Sequence, residues 1–197
     1  MPKPQLKIVL FASGNGTNAE KIIKHVQETD TANVVALYCN VSGANVIERA
    51  KRLNITVRLF ENSHLHAPEM VAQWLTKDAP DLIVLAGFLQ KIPEFIVAAF
   101  PRQIINIHPS LLPKFGGKGM YGMHVHRAVK AQRVKETGIT IHYVNKSYDQ
   151  GAIIFQAKTQ VTESDTTEDI ALKIQVLEHT HYPRLVVKIL NKLRHGQ

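Results

Sequence analysis

At 197 residues, 45% hydrophobic and 20% charged, the chain has the material for one domain with a substantial core and is too apolar to be disordered. A formal charge of +8 favours anionic partners, but the Lys and Arg residues are scattered and the 7% aromatic content carries no stacking motif, so no nucleic-acid partner is expected. The lone Cys39 excludes an intrachain disulfide and a Cys-rich zinc site and reads as a small buried hydrophobe; without a signal peptide or a bilayer-length apolar run, a cytoplasmic chain away from membranes is expected.

Leu6 to Ala12 is a nearly continuous apolar run, the pattern of a strand buried on both faces. A Gly/Asn turn follows at 13–18, then a helix over 18–28 with Ile22, Ile23 and Val26 on one side. Residues 33–40 read as a strand, 44–53 as a helix and 56–60 as a short strand. Pro68 stands where a helix over 69–76 is expected to begin. The most hydrophobic strand spans 81–86, a short helix 93–100, and a further strand 103–107. This alternation predicts an α/β, Rossmann-like architecture: a mostly parallel twisted sheet flanked by helices. The pattern then changes to two longer strands, 137–145 and 152–161, joined as an antiparallel hairpin through 146–151. A long C-terminal helix over 166–193 completes a single domain spanning 1–197, with Thr166 or Thr167 as its cap and Pro183 expected to kink or divide it.

The turn Ser13-Gly14-Asn15-Gly16-Thr17-Asn18 joins the first strand to the first helix. Glycines admit close backbone approach, and a helix N-terminus supplies unpaired N–H groups, so an anion is favoured there. The turn loosely matches a dinucleotide fingerprint, but the second strand ends in Cys39-Asn40 rather than in the acidic residue a ribose diol requires. A phosphorylated small molecule is the better reading.

The strand over 103–107 runs into Asn106-Ile107-His108-Pro109-Ser110-Leu111-Leu112-Pro113. Residues two apart in an extended chain share a side, so Asn106 and His108 face one pocket at the carboxyl end of a buried strand. An amide N–H and an imidazolium both stabilise an oxyanion, as acyl transfer requires. The Gly-rich segment 114–122 beside them reads as a lid. Asp149, in the hairpin, is of the right type to raise an imidazole pKa, although spacing alone does not bring it to His108. Three His-x-His pairs, His64/His66, His124/His126 and His179/His181, lack the geometry or acidic partners of a metal site, so no metal is expected; His124 is retained as a pocket residue.

Taken together, Ser13-Gly14-Asn15-Gly16-Thr17-Asn18, Leu85-Ala86-Gly87-Phe88, Asn106-Ile107-His108-Pro109-Ser110-Leu111-Leu112-Pro113, Asp149-x-Gly151 and Glu178-His179 with Tyr182-Pro183 resemble the phosphoribosylglycinamide formyltransferases, folate-dependent enzymes of purine biosynthesis. The resemblance implies formyl transfer from 10-formyltetrahydrofolate, a co-substrate and not a bound cofactor, to the amine of glycinamide ribonucleotide. It implies Asn106, His108 and Asp149 as catalytic residues, Gly16, Thr17, Asn18 and Glu178 at the ribonucleotide, and Leu89, Gln90, Lys91 and Ile92 with Asn106 at the folate. It implies small-molecule partners and a monomer or homodimer. Gln90-Lys91 departs from the family's usual Arg, and 61–69 lacks the basic residue that would meet a folate tail. The alternatives are a formyltetrahydrofolate hydrolase, which normally carries an extra N-terminal domain, and a tRNA formyltransferase, which normally carries a C-terminal one.

Overall fold

The computed structural model describes residues 5–196. Leu6–Ala12 is β1, and its residues from Ile8 onward are wholly buried, as a strand covered on both faces requires. It leads to α1 (Thr17–Glu28), β2 (Ala32–Cys39), α2 (Asn45–Arg52) and β3 (Val57–Leu59). Helices α3 (Asn62–His66) and α4 (Val71–Asp78) precede β4 (Leu82–Leu85), and α5 (Glu94–Ala99) precedes β5 (Ile104–His108). The chain continues through α6 (Met123–Ala131), β6 (Glu136–Tyr143), β7 (Ile153–Gln160) and α7 (Thr167–His195).

The strands form one seven-stranded sheet in the order β3-β2-β1-β4-β5-β6-β7. The first five pair in parallel; β6 runs antiparallel to β5 and β7 antiparallel to β6. Alternation along β1 supplies both cores. Ile8, Leu10 and Ala12 pack with Ile22 of α1 and Ile174 of α7, whereas Val9 and Phe11 pack with Leu75 of α4 and Ile96 of α5. The sheet is thus wound on both faces, with the expected antiparallel pair and long helix at its end. The chain leaves β1 toward β2 on one side and returns to β4 on the other. Such a reversal opens a crevice at the carboxyl ends of β1 and β4.

Two expectations fail locally. The segment before β4 contains the separate helix α3, closed by a capping box between Glu61 and His64, and α4 starts at Val71 rather than at Pro68. The residue before a proline is driven to extended backbone; Ala67, at φ −101° and ψ 140°, ends α3, and Pro68 falls in the turn. Pro183 does not divide the last helix, which runs unbroken for 29 residues. Proline removes one backbone bond, but the ring is buried, and its burial offsets the loss. Thr166 caps this helix as expected, accepting from Asp169 N–H at 3.1 Å.

Next to Pro183, the fully buried Tyr182 hydroxyl donates to the Leu85 carbonyl at 2.9 Å, tying α7 to the end of β4. Among the described residues no helix is long and apolar enough to cross a membrane. Replacing Tyr182 by Phe removes one buried hydrogen bond while keeping the ring, so urea unfolding is expected to show a loss of about 1 kcal/mol. An unchanged midpoint would show that this bond does not anchor the helix.

Candidate active site

The first turn of the site depends on Gly16, which caps α1 with φ 76°. A Cβ there would stand 2.2 Å from Val46 Cγ2, so only glycine lets α1 and α2 approach this closely. Arg49 of α2 braces the turn by donating to the Asn15 carbonyl at 2.8 Å and by pairing with Glu20. No side chain caps α1, so its first N–H groups keep their capacity to bind an anion.

Beyond the turn lies a cleft of about 650 Å³ at the carboxyl ends of β4 and β5. Asn18 and Glu178, the segment Leu89, Gln90, Lys91 and Ile92, and the trio Asn106, His108 and Asp149 all line it. Gly16 and Thr17 lie beside Asn18 in sequence but outside the lining. His124, expected in the pocket, is exposed and absent from the lining; His126 lines it instead. The reason is helical: positions two apart on α6 diverge, and the buried side of this helix carries Val125, His126 and Val129.

Antiparallel pairing of β5 with β6 sets the centre. Asn106 stands opposite His142 and His108 opposite Thr140, so alternation turns all four side chains to one face. Thr140 secures the chain after β5: its hydroxyl donates to the Ser110 carbonyl at 2.7 Å and accepts the Leu112 N–H at 2.9 Å. The β6–β7 connection then folds back over the strands. Asp149 takes φ 52°, and Gly151 presses so close that a Cβ would meet the Tyr143 carbonyl at 1.6 Å. This return brings Asp149 Oδ2 to 3.5 Å from His108 Nδ1 and Oδ1 to 3.6 Å from His142 Nε2.

The Gly-rich segment completes the arrangement from the other side. His108 Nε2 donates to the Phe115 carbonyl at 2.8 Å, and Gly117 N–H donates to Asp149 Oδ2 at 2.9 Å. Both His108 nitrogens thus face acceptors, a setting that suits an imidazolium. Burial nevertheless dominates: His108 is 3% exposed, and desolvation holds its pKa below the ordinary histidine value although Asp149 and the Phe115 carbonyl pull it up. For Asp149, burial favours the neutral acid, but His142, the His108 charge and the Gly117 N–H outweigh it and keep the carboxyl below its ordinary range. The pair therefore sets burial, which disfavours the imidazolium, against a carboxylate and a carbonyl, which favour it.

In the same cleft, Asn18 Nδ2 donates to Glu178 Oε2 at 2.8 Å, while Asn18 Oδ1 is buried without a partner. Burial raises the Glu178 carboxyl above its usual range against the opposing Asn18 bond. A polar ligand with hydroxyl groups would satisfy both. Two pocket residues, His142 and His126, escaped the sequence reading. The signal for His142 was present: Thr140 and His142 alternate with Ile139 and Ile141 along β6, as polar positions facing a site would. Elsewhere, His64 closes its own helix cap and His181 packs tilted against Phe155, ring centroids 5.0 Å apart. Among the described residues no group of three or more His, Cys, Asp or Glu is assembled as a metal site.

A family model described as "Formyl transferase" matches residues 6–186. The chain is 36% identical over 196 residues to a Bacillus subtilis protein named phosphoribosylglycinamide formyltransferase, covering 97% of this chain and 98% of that one. It is 39% identical to a chloroplastic Arabidopsis thaliana protein of the same name, over 91% of this chain but only 64% of the plant protein. A Bacillus halodurans crystal structure titled phosphoribosylglycinamide formyltransferase superposes with a TM-score of 0.85 at 37% identity, covering 95% of this chain and 96% of that one.

The electrostatic balance at His108 is open to direct measurement. Asp149→Asn removes the anion that opposes desolvation, so the His108 imidazole followed by NMR should titrate at lower pH than in the wild type, itself below the ordinary value near ~6.5. A His108 titration that stays put, or rises, would show that Asp149 does not act on it.

Proposed function

Because the chain belongs to the formyl transferase family, we propose that it carries the formyl group of 10-formyltetrahydrofolate to the amine of glycinamide ribonucleotide, a step of de novo purine synthesis. The observation that carries this reading is the convergence of Asn106, His108 and Asp149 in a cleft that Asn18, Glu178 and the segment Leu89 to Ile92 also line. The pair Asn18 and Glu178 suits a polar ribonucleotide, with its phosphate at the turn Gly16-Thr17-Asn18 on the N-terminus of α1. The segment Leu89 to Ile92, apolar at Leu89 and Ile92 and polar at Gln90 and Lys91, suits the folate with its flat, hydrogen-bonding pterin.

The neutral amine attacks the formyl carbon, and the carbonyl oxygen gains the electron pair of the C=O bond. Asn106 donates an amide N–H to that oxygen, and His108, becoming cationic, stabilises it. The Asp149 carboxylate balances the imidazolium charge and so opposes the desolvation that disfavours the His108 cation. The attacking nitrogen loses a proton as N10 of the folate gains one, through His108 and Asp149 with water as carrier. The carbon–N10 bond then breaks, releasing formylglycinamide ribonucleotide and tetrahydrofolate. The transferred carbon arrives on the co-substrate, so the chemistry requires no resident prosthetic group or metal.

Incubation with both substrates, and with each alone, tests the reading. Formyl transfer should require the ribonucleotide. Folate turnover in its absence would instead indicate a hydrolase, and no turnover in any mixture would sink the proposal. In the active protein, Asn106→Ala and His108→Ala should each lower kcat by about 10²–10³, with the ribonucleotide KM little changed. Glu178→Gln should act the other way, raising the ribonucleotide KM several-fold with a smaller effect on kcat.

A further inference from the structure

Ser13, the residue that follows β1, is 5% exposed and bonded through both its backbone and its side chain. Its N–H donates to the Gly87 carbonyl at 3.0 Å. Its hydroxyl donates to Asn40 Oδ1 at 2.7 Å and accepts the Leu89 N–H at 3.1 Å. A serine hydroxyl has one hydrogen and two lone pairs, so the two roles do not compete. Asn40 Nδ2 in turn donates to Asn62 Oδ1 at 2.7 Å, which leaves the Asn40 oxygen for Ser13. Donation thus runs in one direction, from Leu89 through Ser13 and Asn40 to Asn62, and each bond polarises the next. The chain of bonds links segments that follow β4, β1 and β2 to the start of α3. Asn40 holds the place where a dinucleotide site carries an acid, and here its amide braces Ser13 instead.

We propose that Ser13 is a positioning residue for the folate segment: its hydroxyl holds the Leu89 N–H and thereby fixes how Leu89, Gln90 and Lys91 are presented to the cleft. Neither Ser13 nor Asn40 lines the cleft, so neither is placed to touch a ligand there. Packing anchors the segment only at its flanks. Phe88 is buried with its ring centroid 5.1 Å from that of Phe11, and Ile92 is buried as well. Between them, Leu89 is 48% exposed and belongs to no strand or helix, so burial does not set its backbone. The Ser13 hydroxyl supplies the constraint that packing leaves out. The same residue leads directly into the turn Gly14-Asn15-Gly16, so its bonds also set where that turn stands relative to the folate segment. The inference rests on the formyl-transfer reading for the substrate that Ser13 serves, but the hold on Leu89 is independent of it.

Amide hydrogen exchange is therefore measured first. The Leu89 N–H is expected to exchange slowly in the wild type and about tenfold or more faster in Ser13→Ala, while the amides of β1 keep their protection. A Leu89 amide that is unprotected in the wild type, or unmoved by Ser13→Ala, would overturn the proposal whether or not the protein transfers formyl groups. Kinetics of the active protein follow. Ser13→Ala should raise the KM for 10-formyltetrahydrofolate roughly three- to tenfold, with the ribonucleotide KM within about twofold. Ser13→Thr keeps the hydroxyl and should recover both the Leu89 protection and most of the folate KM. Asn40→Ala frees the Ser13 hydroxyl without removing it. It should move both readouts the same way by a smaller factor, and it carries the test if Ser13→Ala does not fold. In a Ser13→Ala background it should add little further change. A rise in the ribonucleotide KM in place of the folate KM, or a folded Thr variant as impaired as the Ala variant, would overturn the assignment.

Discussion

The antiparallel register of β5 on β6 is the constraint on which the site depends. It sets Asn106 against His142 and His108 against Thr140, with all four side chains on one face. A slip of one residue along either strand would turn that strand's polar set into the core and its isoleucines into the cleft. The apolar neighbours Ile105, Ile107, Ile139 and Ile141 are all buried, so the same alternation that forms the core also fixes the chemistry. The change from parallel to antiparallel pairing at this point matters as well. A parallel partner would require a crossover, whereas the hairpin after β6 returns at once and delivers Asp149 to the strands it has just left.

The centre of the site is a contest between burial and charge. His108 sits where water is excluded, which favours the neutral imidazole, yet it faces a carboxylate and a carbonyl, which favour the cation. Neither influence is an accident of one side chain. The acceptors come from separate loops, 109–122 and 144–152, and the Gly117–Asp149 bond joins those loops directly. A cleft built this way responds strongly when an oxyanion forms, because the low-dielectric surroundings that penalise an isolated charge also strengthen a paired one. The Asn18–Glu178 pair follows similar physics: the two residues are placed by α1 and α7, and α7 is itself held to the sheet by Tyr182.

The order of strands and helices was legible because each element announces itself locally, by continuous apolar runs for buried strands and by helical spacing for α1, α2 and α7. The misreadings were at places where short-range signals compete. Pro68 resembled a helix start but followed a helix that Glu61 and His64 had already capped, and Pro183 lies in a helix whose burial overrides its breaking tendency. In the cleft, Asn106 and His108 were readable from their spacing within one strand. His126 was not distinguished from His124, since only the packing of α6 decides which of the two is buried.

What the sequence by itself determined, then, is everything carried by period and composition: the doubly wound sheet, the glycine turn at the start of α1, and the shared side of Asn106 and His108. What only the tertiary structure decided is which distant residues complete that pair. Asp149 lies 41 positions beyond His108 and His142 lies 36 beyond Asn106, separations at which spacing carries no geometric information. Their approach depends on strand register, on the backbone conformation at Asp149 and on the room that Gly151 leaves beneath the Tyr143 carbonyl. Those are properties of packed chains, because hydrogen-bonded pairing and excluded volume act between segments that the sequence leaves far apart.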